Sequence, residues 1–145
     1  MAKTIVKVIS LNGKSPKLAL SLEIPGEICA VAPSKHAPGE HWQRRQEVPS
    51  ISSIDALVRI EVAKQMKGRL KGPIALVIRA FHDYPIGYDL RRANADKADR
   101  YLDIRPSTQK IINEVIEALS LSCLIWKNVE QISSITCEKF WNFSR

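Results

Sequence analysis

Three side chains in the stretch "KIINEVIEAL", Lys110, Glu114 and Glu117, have the types and spacing to do chemistry together. A helix turns by about 100° per residue, so the three fall within roughly 60° of one another along one helix edge. Carboxylates gathered on such an edge are the oxygen ligands a divalent metal ion needs. The same spacing also describes the wet side of an ordinary helix, with Lys110 and Glu114 forming an i, i+4 ion pair worth about 0.2–0.5 kcal/mol. The residues themselves leave both readings open.

The elements that must position this edge can be read from the local pattern. Ser107 suits the N-cap of the helix, with Pro106 just outside it, and Ile111, Ile112, Val115, Ile116 and Leu119 form its apolar stripe. An earlier helix is marked by Ser52 and Asp55 as a capping box, and by Ile54, Leu57, Val58, Val62 and Met66 on one face. Gly68 would stop it. "TIVKVIS" and "SPKLALSLEIP" read as strands of a hairpin, with Asn12-Gly13 suited to a type I′ turn. "GPIALVIRAFH" has little alternation, which predicts a central strand covered on both faces. "SCLIWK" and "QISSITCEKFW" read as two closing strands joined by "NVE", with Cys123 and Cys137 as small buried side chains. Two long connections, 25–50 and 83–102, separate these elements. The order ββ-α-β-α-ββ predicts an α+β domain, two helices packed on one mixed sheet.

Composition bounds the rest. The chain has 145 residues, enough for one domain with a real core, and its apolar content of 45% can supply one. No apolar run approaches the ~20 residues of a membrane span, and the start does not resemble a signal peptide. A cytoplasmic protein without membrane attachment is expected. The three cysteines have no CxxC spacing and predict no disulfide framework. The net charge of +7 favours a polyanionic partner, nucleic acid first. Its cations cluster: Arg44 and Arg45 stand beside Trp42, and the stretch from Arg59 to Arg79 holds Lys64, Lys67, Arg69 and Lys71 against the single acid Glu61.

Cys29, His36 and His41 lack the spacing and the fourth ligand of a zinc site. No phosphate-binding glycine loop is present, so no nucleotide cofactor is expected. Phe140, Trp141 and Phe143 crowd the final residues, which predicts a packed end, within the chain or against a second copy.

From residue 17 onward the chain resembles the RusA-like Holliday-junction resolvases, small basic dimeric nucleases that cut four-way DNA junctions with Mg²⁺. The resemblance is carried, in order, by "LEIPGEICAVAPSKHAP", "LKGPIALVIRAFHDYP", "KIINEVIEAL" and "LIWKNVEQISSITCEKFW". Its most specific residues are Lys110, Glu117-Ala118-Leu119, Trp126-Lys127, Gln131-Ile132 and Lys139. It implies a single RusA-like domain over 1–145, with 1–16 as an N-terminal strand or hairpin extension. It also implies a homodimer, branched DNA as partner, and Mg²⁺ if the protein cuts. Lys110, Asp103 and Glu117 would be the catalytic residues. Asp103, Glu114, Glu117 and Glu130 would be the metal ligands, Glu130 lying where the family keeps an acidic turn. Lys35, Arg44, Arg45, Arg91, Arg92 and Lys110 would contact DNA.

The departures from the family pattern bear on catalysis. Its D-x-D-N ahead of the helix lysine is here Ile104, Arg105, Pro106 and Ser107, and its Asp-Asp pair is Asn128-Val129. Ile, Pro and Val offer no oxygen to a hard cation. The expectation is a branched-DNA-binding protein with weakened or lost junction cleavage. The alternative is a non-catalytic RNA-binding or structural dimer.

Overall fold

A computed structural model of the chain describes residues 2–29, 51–83 and 105–142. Four strands, β1 (Lys3–Ser10), β2 (Lys17–Pro25), β3 (Ile74–Asp83) and β4 (Ile132–Asn142), form one sheet in the order β2-β1-β3-β4. β1 runs antiparallel to both β2 and β3, whereas β3 and β4 are parallel. Two helices, α1 (Ile51–Gln65) and α2 (Thr108–Ser120), complete the α+β architecture. A short 3₁₀ turn, Val129–Gln131, leads into β4.

Alternation builds the sheet's inner face. Thr4, Val6 and Val8 pair with Ile24, Leu22 and Leu20 on one side, and with Ala80, Ile78 and Leu76 on the other. All nine are buried. The stripes Ile54, Val58, Val62 of α1 and Ile111, Val115, Ala118, Leu119 of α2 join the same core cluster, so both helices cover this one face. At about 1.5–3 kcal/mol for each large aliphatic side chain buried, this layer is the main stabilising term.

β3 is central, as its apolar run predicts, but its burial alternates: Ile74, Leu76, Ile78, Ala80 and His82 are buried, while Ala75, Val77 and Phe81 are only half-buried. The expectation of cover on both faces is therefore corrected. The outer face carries matched ion pairs, Lys3 with Glu23 at 3.3 Å and Arg79 with Glu138 at 3.5 Å. Phe81 stacks on Phe140 there, with ring centroids 4.9 Å apart. The end of β4 is packed within the chain, as its aromatics predict for Phe140 and Trp141; Phe143 lies outside the described residues.

Three local expectations change. β1 and β2 are joined by residues 11–16 and not by a tight Asn-Gly turn, because Leu11 donates its N–H to the Pro73 carbonyl instead of closing the hairpin. Residues 1–16, expected as a strand or hairpin extension, do supply a strand, β1, and it lies in the interior of the sheet. α1 already contains Ser52, and Asp55 accepts a hydrogen bond from Arg59 Nε at 2.9 Å. "SCLIWK" is not a strand. Cys123 takes φ 57° as the chain leaves α2, its N–H bonded to the Ser120 carbonyl, and it is exposed. Ile125 and Trp126 then plug the core, with one bridge from Trp126 to Leu70. The closing hairpin is thus replaced by β4 alone, parallel to β3, the usual result of a helical crossover.

Candidate functional site

α2 begins where the sequence places it. Ser107 has extended backbone, φ −65° and ψ 155°, and its hydroxyl accepts from the Lys110 N–H at 3.2 Å. This N-terminus sits at the finishing end of β3 and β4. The Arg105 guanidinium lies over the Trp141 ring at 4.7 Å, and the Cys29 thiol faces the Lys110 carbonyl at 3.9 Å.

With α2 anchored by its apolar stripe, Lys110, Glu114 and Glu117 are exposed. Lys110 and Glu114 form no ion pair with one another. Glu130 is exposed in the 3₁₀ turn, its N–H bonded to Asn128 Oδ1 at 2.9 Å. That turn precedes β4, whereas Arg105 and the start of α2 stand beside Trp141 near the strand's other end. Glu130 thus lies towards the start of β4, while α2 begins towards its finish. Glu114, Glu117 and Glu130 are not gathered into a group arranged to hold a metal ion. Asp103, Lys35, Arg44, Arg45, Arg91 and Arg92 lie outside the described residues.

Of the positions where the resemblance implies oxygen ligands, two among the described residues carry none. Pro106 is buried and Val129 is exposed, and neither has an oxygen-bearing side chain. Among the described residues no group of three or more His, Cys, Asp and Glu side chains is arranged to hold a metal ion.

The same corner contains a polar pair that the motif reading passed over. His82 Nδ1 lies 2.5 Å from Glu27 Oε2, with 1% of His82 and 7% of Glu27 exposed. Gly26 carries Glu27 there by crossing the end of β1, its N–H bonded to the Ala2 carbonyl at 2.9 Å. Trp141 meets His82 edge to face at 6.4 Å. Among the described residues His82 Nε2 has no hydrogen-bond partner. A carboxylate that fixes Nδ1 leaves Nε2 as the ring's only remaining functional atom. Here that atom is closed off from solvent, so the pair serves as a clamp between the ends of β2 and β3. The signal for it was the strand period. His82 shares its parity with Ile74, Leu76, Ile78 and Ala80, which places it on the inner face and obliges it to find a partner.

The nearby Cys29 thiol is pushed up to about 11, chiefly by burial and then by the Glu114 charge. Burial thus favours its protonated form at neutral pH. No helix among the described residues is long and apolar enough to cross a membrane. No protein-family model, no curated protein and no solved structure matches this chain.

Proposed function

We propose that this chain is a RusA-like branched-DNA-binding protein that acts as a homodimer and holds four-way junctions with weak or no metal-dependent cleavage. The observation that carries the binding half is charge left unmatched. The chain has a net charge of +7, and among the described residues Lys14, Lys17, Lys67, Arg69, Lys71 and Lys127 are exposed and in no ion pair. Exposed cations in surplus draw a polyanion, and each phosphate they neutralise releases counterions. The co-linear motifs supply the branched-DNA and dimer parts of the reading. A two-fold dimer suits the approximate symmetry of a four-way junction.

The cleavage half rests on ligand chemistry. Ile104, Pro106 and Val129 stand where the family motif needs oxygen. A competition assay tests the reading: a labelled four-way junction bound to the protein, challenged with linear duplex and with single-stranded RNA over a salt series. The duplex should displace the junction poorly, and affinity should fall steeply with salt. Equal competition by duplex removes the branched-DNA claim, and better competition by RNA replaces DNA as the partner. Incubation of the junction with Mg²⁺ should leave it intact. Robust cleavage abolished by Asp103→Asn or Glu117→Gln would show a rebuilt catalytic site.

A further inference from the structure

Three connections meet at the end of the sheet where β3 and β4 begin. Residues 11–16 reach residues 66–73 through the Leu11 N–H to the Pro73 carbonyl at 2.9 Å. Asn12 packs so closely on Gly72 that an added Cβ there would lie 3.2 Å from its side chain. Residues 66–73 meet 121–131 through the Leu70 N–H to the Ile125 carbonyl at 2.8 Å. Gln131 Nε2 also donates to the Leu70 and Gly72 carbonyls, at 2.9 and 3.0 Å. These contacts make one surface from three distant parts of the chain.

That surface bears Lys14, Lys67, Arg69, Lys71 and Lys127, with Lys17 at the adjoining start of β2, and all six are exposed. The one carboxylate on the three connections is Glu130. None of the six cations is ion-paired among the described residues. A helix dipole accounts for at most Lys67, which follows the C-terminus of α1. Lys14, Lys17, Lys71 and Lys127 are four or more residues from the ends of α1 and α2. Like charges gathered on connections that meet at one end of the sheet repel one another, and a polyanion relieves that repulsion.

We infer that this basic pole, formed by Lys14, Lys17, Lys67, Arg69, Lys71 and Lys127, is the surface that holds nucleic-acid phosphates. The inference rests on the nucleic-acid reading above and moves its contact site to the end of the sheet opposite Lys110. Five of the six cations are lysines, point charges that engage phosphates without reading base edges. The pole therefore contributes affinity that is independent of sequence.

The test uses the full chain with a labelled four-way junction, a labelled duplex and vesicles rich in anionic lipid, each over a salt series. The variants are Lys67→Ala/Arg69→Ala/Lys71→Ala, Lys14→Ala/Lys127→Ala, and Arg79→Gln on the outer sheet face as a control. Both pole variants should weaken both DNAs and flatten the plot of log affinity against log salt. The expected change in slope is about 0.9 for each phosphate contact removed. The control should bind as the parent does, and all variants should keep the parental unfolding transition. Parental affinity and slope in both pole variants would place the phosphate contacts elsewhere while the nucleic-acid reading stands. Failure of the parent protein to bind either DNA at low salt overturns both. Tighter binding to the vesicles than to DNA at matched salt makes the pole a membrane-facing surface and overturns the inference.

Discussion

Where β3 and β4 finish, polar groups find specific partners: His82 Nδ1 with Glu27 out of water, the Arg105 guanidinium with the Trp141 ring, and Ser107 with the first turn of α2 at the surface. Where β3 and β4 begin, the charges stay in water and are unmatched, with Lys14, Lys67, Arg69, Lys71 and Lys127 on connections tied by neutral hydrogen bonds. The buried pair of the first end is costly to disturb. The cations of the second contribute little to folding and leave their charge available. Among the described residues the two ends thus differ in how they treat their polar groups.

The largest effect should come from breaking the matched end. Glu27→Ala strands a buried imidazole and should destabilise by about 3 kcal/mol in denaturant unfolding, the upper end of the range for leaving a buried polar group unsatisfied. Replacing both, as in Glu27→Leu/His82→Phe, should recover most of that loss. If Glu27→Ala unfolds with the parental midpoint, the pair is not a clamp and the two ends do not differ as described.

At the basic pole, stability should reside in one neutral side chain. Gln131 Oε1 accepts from the Lys127 and Asn128 N–H groups at 3.0 and 2.9 Å, while its amide nitrogen serves the Leu70 and Gly72 carbonyls. Gln131→Ala should cost about 2 kcal/mol, because several bonds of about 0.5–1.5 kcal/mol are lost from a half-buried position. Gln131→Glu should cost at least as much, since a carboxylate cannot donate to those two carbonyls. Gly72 comes next. It sits at φ 78° against Asn12, so Gly72→Ala should cost about 1–2 kcal/mol through strain and contact. An affinity for DNA that falls with Gly72→Ala more than stability does would show that the spacing of Lys14 from Lys71 is itself part of the grip.

The legible part of this fold was its periodic part. Ile54, Val58 and Val62 on α1, the Ser107 cap of α2, and β1, β2 and β3 follow from spacing and capping chemistry that act locally. "SCLIWK" misled because β-branched and aromatic content marks burial as well as strand, and Ile125 and Trp126 are buried by plugging the core. The fate of the Asn12-Gly13 turn depended on Pro73, more than fifty residues away, which no local rule reaches. Gln131 was singled out by resemblance, but its work at the pole is structural: it holds three connections in register. The basic stretch around Lys67, Arg69 and Lys71 was visible in the sequence. That Lys14 and Lys127 join it was not, because long-range hydrogen bonds bring them there.

The smallest effect contrasts two thiols. Cys123, exposed on the connection that carries Lys127, should react with a thiol-specific reagent in the native protein within the mixing time of a slow assay. Cys29, buried beside the start of α2, should react only on the timescale of unfolding, because its thiol is raised to about 11 by burial and by Glu114. Linkage fixes the accompanying pH dependence. A thiol with an ordinary value of 9.0 that is raised on folding holds its proton better in the native state, so its contribution to stability is complete below pH 9. It is lost as the pH rises toward 11, where the unfolded chain has already released the proton. Between pH 7 and pH 9 the loss from Cys29 should be only about 0.4 kcal/mol, and Cys29→Ala should reduce the alkaline slope, leaving the share of Cys137, whose thiol burial also pushes up. Rapid native labelling of Cys29, or an alkaline slope unaffected by Cys29→Ala, would mean that water reaches the matched end, and the contrast between the two ends would then rest on His82 and Glu27 alone.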